Sequence, residues 1–164
     1  IYQNAPDFGV LLAYFFDLRF AVQFSYVLSQ HTFDFTAGGS EYSGTLGTST
    51  LSFDIKYYLN VQNVTKGLAD FNPYIFGGLS QISREQKTNG TSSVGKDSAM
   101  GFQAGIGTEF PMMKNKIHLG LEALYEYVNF DNEGNVIVLP NGTKTNTRPT
   151  GDVIRLQAIL GFNF

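Results

Sequence analysis

The sequence predicts an all-β fold, an antiparallel up-and-down barrel, on three observations. Apolar and polar residues alternate with a period of two in segment after segment, the repeat of a strand with two unlike faces. No segment carries the 3.6-residue period of an amphipathic helix, and the strand spacing is that of a barrel or sandwich. The connections are asymmetric, short at Asp17 and Pro111 and longer at 37–45, 87–97 and 131–151, as in a chain that runs up and down.

Phe8–Phe16 is the first candidate strand. Phe8, Val10, Leu12, Tyr14 and Phe16 share one face, but Leu11 and Phe15 make the other face apolar as well. Asp17-Leu18-Arg19 is a tight reversal, after which Phe20, Val22, Phe24, Tyr26 and Leu28 alternate with Ala21, Gln23, Ser25 and Val27. Beyond Ser29 the aromatic character passes to the other parity, at Phe33 and Phe35, which a bulge or an exit from the buried zone would explain. Ala37–Thr45 reads as a loop by composition. Gly47–Asn60 is the cleanest internal strand, with Leu51, Phe53, Ile55, Tyr57 and Leu59 opposite Thr48, Thr50, Ser52, Asp54, Lys56 and Tyr58.

Val61–Asp70 is a connection, and the strand that follows starts at Phe71 and runs towards Arg84. Its Pro73 stands at the beginning, where a missing N–H does least harm, and its two faces are not distinguishable. Lys87–Asp97 is polar and reads as a loop. Met100, Phe102, Ala104, Ile106, Thr108 and Phe110 then alternate with Gly101, Gln103, Gly105, Gly107 and Glu109. After a short turn at Pro111–Asn115, Ile117, Leu119, Leu121, Ala123, Tyr125 and Tyr127 alternate with His118, Gly120, Glu122, Leu124 and Glu126. Asp131–Gly151 is the longest connection, and its turn signals flank a Val136–Leu139 run that reads as a hairpin tip. The last strand places Ile154, Leu156, Ala158, Leu160, Phe162 and Phe164 on one face, with Val153, Arg155, Gln157, Ile159, Gly161 and Asn163 on the other.

Composition sets the setting of these strands. The 164 residues suit a single domain, 1–164. Charged residues are 15%, against roughly 25% in soluble domains. A net charge of −3 leaves no basic footprint for nucleic acid. With no cysteine and two histidines, disulfides and thiolate-ligated metals are excluded. The longest apolar run, Val10–Phe16, is too short for a membrane-spanning helix. No secretory leader is visible, so an exported protein would be represented here by its mature or trimmed chain.

Alternation alone does not say whether the apolar rows face a core or a membrane. Six strands have assignable faces, and their apolar rows hold no charged residue. The opposite rows are rich in Gly, Ser, Thr and Gln, with Asp54, Lys56, Glu109, Glu122, Glu126 and Arg155 as their only charges. Such rows suit the narrow lumen of an eight-stranded barrel rather than a Lys/Glu-rich exterior. The apolar belt would then be Leu51, Phe53, Ile55, Leu119, Leu121, Leu156, Leu160 and Phe162, turned to lipid. Short links at Asp17 and Pro111 lie opposite the longer loops at 37–45, 87–97 and 131–151, as in a barrel with short periplasmic turns, with the ten-residue 61–70 link an exception on the short side. Hydrocarbon offers no hydrogen-bond partners, so such a sheet must close. Tyr14, Tyr26, Tyr57, Tyr125 and Tyr127 would furnish aromatic girdles.

The closing strand ends on Phe162 and Phe164, and the Phe71 strand carries a P-Y-x-x-x-G pattern at Pro73, Tyr74 and Gly78. In these two stretches, and in pattern along nearly its whole length, the chain resembles the small outer-membrane β-barrels of the OmpA-like and OmpX-like kind. The resemblance implies a transmembrane barrel in the outer membrane of a Gram-negative bacterium, its C-terminus periplasmic. It implies outer-membrane lipid and lipopolysaccharide as surroundings. It also implies that the barrel-assembly machinery reads Phe162 and Phe164 as an assembly signal. Such barrels have an even strand number. Seven strands are readable, so an eighth is expected upstream of Ile1 or within a misread stretch. The peptidoglycan-binding role of longer relatives is not carried over.

For chemistry, the enclosed polar network is the candidate: Asp54, Lys56, Gln103, Glu122, Glu126, Arg155 and Gln157, with Gln23 able to join it. Strand order suggests a salt bridge from Arg155 to Glu122 or Glu126, since buried charges must be paired or hydrated. No cofactor, metal site or catalysis is expected. Glu122/Glu126 and Asp54/Lys56 lack a metal-site spacing, and the His-Ser-Glu set of lipid-A deacylase barrels is not assembled from His31 or His118. The three Asn-X-Thr triplets at Asn63, Asn89 and Asn141 carry little weight. The expected role is a structural membrane scaffold with a plugged lumen and exposed loops. The alternatives are a transporter of small or apolar solutes, an adhesin using the 131–151 loop, and a soluble lipocalin-like binder.

Overall fold

A computed structural model describes residues 7–37, 39–59, 71–88, 94–113, 116–130, 137–138, 144–145 and 152–162. Its strands are β1 (Phe8–Phe15), β2 (Phe20–Ala37), β3 (Ser40–Tyr58), β4 (Asn72–Thr88), β5 (Val94–Met112), β6 (Ile117–Val128), β7 (Ile137–Val138), β8 (Lys144–Thr145) and β9 (Val153–Phe162). Seven of them form one sheet in the order β1-β2-β3-β4-β5-β6-β9, and β7 and β8 pair as a separate small hairpin. Every neighbouring pair is antiparallel, so the sheet is an up-and-down meander curled into a half-barrel. The expected eighth strand is not among the described residues of this sheet. Its two edge strands, β1 and β9, run in the same direction and flank a cavity of about 1630 Å³. Asp7, just ahead of β1, reaches across to Arg155 of β9 at 3.3 Å.

Burial inverts the rule of a soluble sheet. Leu51 and Ile55 are 52% and 51% exposed, while Asp54 and Lys56 on the opposite face are 0% and 1%. The same alternation runs through β6, where Leu119, Leu121, Tyr125 and Tyr127 are exposed and Glu122, Leu124, Glu126 and Val128 buried. β4, whose faces the sequence leaves open, turns Tyr74, Phe76, Ser80, Ile82 and Arg84 inward and Ile75 and Leu79 outward.

Two expected loops are shorter than their composition suggests. β2 and β3 pair residue for residue from Phe20↔Tyr57 to Ala37↔Ser40. The reversal there includes Gly39 at φ 80°, a left-handed conformation that glycine adopts without steric cost. Most of the 37–45 stretch is therefore strand; its Tyr42 and Thr45 suit a pleated sheet as readily as a loop. The 87–97 loop likewise shrinks, because β4 reaches Thr88 and β5 starts at Val94. Asp131–Gly151 lies largely outside the described residues, and within it the β7–β8 hairpin includes two residues of the expected Val136–Leu139 tip.

The continuous register rules out a bulge as the cause of the parity change in β2. Instead the polarity of both faces reverses along the strands. Below the change, Phe24, Tyr26 and Leu28 point outward; above it, Gln30, Thr32 and Asp34 do, while Phe33 is buried inside. Leu51 gives way to Thr45 and Ser43 on β3 and Leu79 to Gln81 and Ser83 on β4, with Leu46 and Ile82 buried on the inner face. The outer ends of these strands thus follow the ordinary aqueous pattern, apolar in and polar out.

Inside, large rings pack over glycines on the neighbouring strand. Tyr74 pairs with Gly107, Phe76 with Gly105, Phe33 with Gly44 and His118 with Gly161. A Cβ at Gly105 would lie 2.5 Å from the Phe76 ring, and one at Gly107 would also strike the Tyr74 ring. The absence of side chains on β5 is what lets β4 turn its two aromatics inward.

Candidate functional site: the enclosed polar network

Period-two geometry delivers the network. β3 sends Ser52, Asp54, Lys56 and Tyr58 to the inner face, β4 sends Tyr74, β5 Gln103 and Glu109, β6 Glu122, and β9 Gln157. Lys56 Nζ lies 2.9 Å from Glu122 Oε1 and 3.6 Å from Glu109 Oε1, and 4.1 Å from the centre of the Tyr74 ring. The Tyr74 hydroxyl donates to Glu122 Oε1 at 2.6 Å, and the Tyr58 hydroxyl to Glu109 Oε1 at 2.9 Å. Gln157 Nε2 donates to the other oxygen of Glu122. Glu122 is therefore the hub, held by donors from β3, β4 and β9.

Asp54 is bound separately. Gln103 Nε2 donates to its two oxygens at 2.7 and 2.6 Å, and Ser52 Oγ donates to it at 3.3 Å. The Ser52 hydroxyl in turn contacts that of Ser25 at 2.5 Å, carrying the chain of polar contacts to β2. Buried charge is tolerated only when paired and hydrogen-bonded, which is what these contacts supply.

Two further cations, Arg155 and Arg84, form ion pairs on the same face. Arg155 lies 3.3 Å from Asp7 through Nε and 3.6 Å from Glu126 through Nη2. The expected salt bridge from Arg155 to a glutamate is thus an ion pair longer than a hydrogen bond, and with Glu126 rather than Glu122. The shorter contact goes to Asp7, because β1 and β9 approach each other across the cavity. Nearer the outer end, Arg84 Nη2 donates to Asp97 at 3.1 Å, and the guanidinium lies 3.7 Å from the centre of the Phe130 ring.

Of the residues picked from sequence, Asp54 joins Gln103, Lys56 joins Glu122 and Gln157, and Arg155 joins Glu126, while Gln23 is buried on the same face. Sequence reading missed Tyr58, Tyr74, Arg84, Asp97 and Asp7, and left Glu109 outside the network. Tyr58 lay in an inner row and Glu109 was among the counted charges, so both could have been included. Tyr74 and Arg84 could not, because Ile75 and Phe76 make both sides of β4 look alike.

Leu51, Phe53, Ile55, Leu119, Leu121, Leu156, Leu160 and Phe162 all project from the opposite face and are exposed. Tyr14, Tyr26, Tyr125 and Tyr127 are exposed with them. Phe164, paired with Phe162 as an expected assembly signal, lies outside the described residues. Both histidines face inward. His31 Nε2 lies 3.2 Å from Ser29 Oγ, and the His118 ring covers Gly161. Among the described residues, no group of three or more His, Cys, Asp or Glu is placed to hold a metal ion.

A sheet whose exposed face is apolar and whose enclosed face carries ion pairs is the wall of a barrel that spans a membrane. No helix among the described residues is long and apolar enough to cross one. The chain matches the family model of the outer membrane protein beta-barrel domain over residues 2–158, and it belongs to that family. It is therefore an outer-membrane β-barrel protein of Gram-negative bacteria. Among curated proteins, none matches the chain.

Proposed function

We propose that the protein is a structural component of the outer membrane, a lipid-embedded scaffold whose lumen is filled by its own side chains. The observation that carries this reading is the network around Glu122. Contacts among Lys56, Tyr58, Tyr74, Glu109, Glu122 and Gln157 tie five strands together across the interior, where a conduit would need open space. In this reading Leu51, Phe53, Ile55, Leu119, Leu121, Leu156, Leu160 and Phe162 contact acyl chains, and the Asp17–Arg19 and Met113–Lys116 turns face the periplasm. The C-terminus then also lies on the periplasmic side, where the assembly machinery would engage Phe162 and Phe164. The role is non-catalytic: the inward histidines support this, since lipid-directed hydrolysis would need them on the outer surface. A soluble ligand-binding barrel would need the apolar rows inside, the reverse of the observed burial.

One observation favours a second reading, passage of a small solute. The cavity between β1 and β9 has a polar wall that includes Lys56, Glu109, Glu126 and Arg155, and an apolar wall of Leu11 and Phe15. Liposome swelling with sugars and amino acids, together with planar-bilayer conductance, separates the two. The scaffold reading expects rates equal to protein-free vesicles and no stable conductance steps; reproducible steps would replace it with the second.

A further inference from the structure

One row of the interior is short of both hydrogen-bond donors and positive charge. It runs Gln23–Asp54–Gly78–Gln103–Glu126 across β2 to β6, and its four side chains are buried. Gly78 stands between Asp54 and Gln103, and a Cβ there would lie 2.5 Å from Asp54 Oδ1. The bare backbone therefore lets the Gln103 amide reach across β4 and donate to both Asp54 oxygens through Nε2.

That bond fixes the amide. With Nε2 held by a carboxylate, Oε1 is turned away from Asp54, since the reversed amide would set oxygen against oxygen. On the other side of β5 stands Glu126, the cross-strand partner of Gln103, and such partners are nearest neighbours. Gln103 Oε1 and both Glu126 oxygens are buried and accept no hydrogen bond from the described residues. An unmet buried acceptor bears the full cost of its desolvation, and an unmet buried charge bears more. Three such oxygens on adjacent side chains call for a positive centre.

The charges fall short at the same place. Lys56 faces Glu109 and Glu122, and Arg84 faces Asp97. Arg155 is divided between Asp7 at 3.3 Å and Glu126 at 3.6 Å, so these three residues together lack one positive charge. Hard cations take oxygen ligands, but Ca²⁺ takes about six to eight of them. Among the described residues no three His, Cys, Asp or Glu converge. One missing charge and a carboxylate beside an amide carbonyl suit a monovalent ion. Glu126 also lines the cavity between β1 and β9, which supplies the way in.

We propose that the interior binds a small monovalent metal cation between the Glu126 carboxylate and the Gln103 carbonyl oxygen, with Na⁺ as the probe. The site goes beyond the scaffold reading and is independent of whether the lumen conducts. The test uses the wild type and Glu126→Gln in zwitterionic vesicles. Urea unfolding is followed at constant ionic strength while sodium chloride replaces N-methylglucamine chloride, whose cation is too large for a buried site.

Sodium is expected to raise the wild-type ratio of folded to unfolded protein about tenfold, the effect of a ligand at ten times its dissociation constant. Glu126→Gln should lose that response, because its amide needs no counter-charge and can itself donate to the Gln103 carbonyl. A wild-type ratio that sodium leaves unchanged overturns the proposal and assigns the missing charge to a proton on Glu126. A response that persists in Glu126→Gln also overturns it, since the ion would then sit elsewhere. Should Glu126→Gln not fold, sodium-23 NMR of the folded wild type decides. Line broadening that lithium reverses and N-methylglucamine does not is the expected result, and its absence overturns the site.

Discussion

Replacing Lys56 by methionine tests the central network most directly. Lys56 and Glu122 are both essentially buried, with 1% and 0% of their side chains exposed, and Lys56 is the cation that faces Glu122 and Glu109. Methionine keeps the length of the stem and removes the charge. Breaking a buried pair by deleting one partner costs about 3–5 kcal/mol, because the other charge is left uncompensated. Tyr58, Tyr74 and Gln157 would still donate to the two glutamates, which places this variant near the lower end, about 3 kcal/mol. Adding Glu122→Gln should restore at least about 1 kcal/mol, the size of coupling expected for directly contacting residues. The chain has no tryptophan, so urea unfolding in lipid vesicles is followed by far-UV circular dichroism and by the electrophoretic shift of the folded barrel. A Lys56→Met cost below about 1 kcal/mol, or strict additivity in the double variant, would refute Lys56 as the counter-charge of this cluster.

The face assignment makes a separate prediction. Leu156→Arg or Leu121→Arg, on the exposed apolar rows, should each lose about 2–4 kcal/mol of folding free energy in bilayers, and alanine at the same sites far less; normal vesicle folding of both arginine variants would contradict it. Gly107→Val should displace the Tyr74 ring and its 2.6 Å bond to Glu122, costing about 1–3 kcal/mol in the same unfolding assay. Tyr74→Phe, which deletes the buried donor and leaves the ring, should cost about 1–3 kcal/mol. At the outer rim, the hydrogen bond from Lys87 and the charge of Lys96 hold the Glu85 carboxyl below the usual carboxylate range. Because the folded value is depressed, the favourable contact exists above it and disappears as pH falls through it. Carbon-detected NMR titration should show the midpoint rising in the Lys87→Gln/Lys96→Gln variant.

Most of the fold is legible because a strand buried on one side writes its geometry at period two. β3, β5, β6 and β9 each carry that pattern, and the inverted charge content of the two rows points to lipid. β1 is weakly legible, since Leu11 and Phe15 make its second face apolar as well, and β4 is not legible, because Ile75 and Phe76 make its two sides look alike. What turns Tyr74 and Phe76 inward is the bare backbone of Gly107 and Gly105 on β5, a partner some thirty residues away that no local window contains. The outer half of β2 looked like a change of register, when the register is continuous and the surroundings change instead. The network was legible in its members more than in its pairing. Alternation shows that Lys56, Glu122 and Arg155 share a face, but which carboxylate each cation reaches depends on sheet curvature. The Asp7–Arg155 contact in particular needs two edge strands brought face to face.

The rings seated on glycines bear on how the sheet reaches its alignment. Sliding β5 past β4 by two residues would keep every side chain on its proper side of the membrane, so hydrophobicity alone would not resist it. The slide that moved Gly105 opposite Tyr74 would bring Gln103 opposite Phe76 and pull its amide off Asp54. The β4–β5 hairpin thus holds a gauge of its own, able to reject a misaligned partner before the rest of the wall has formed.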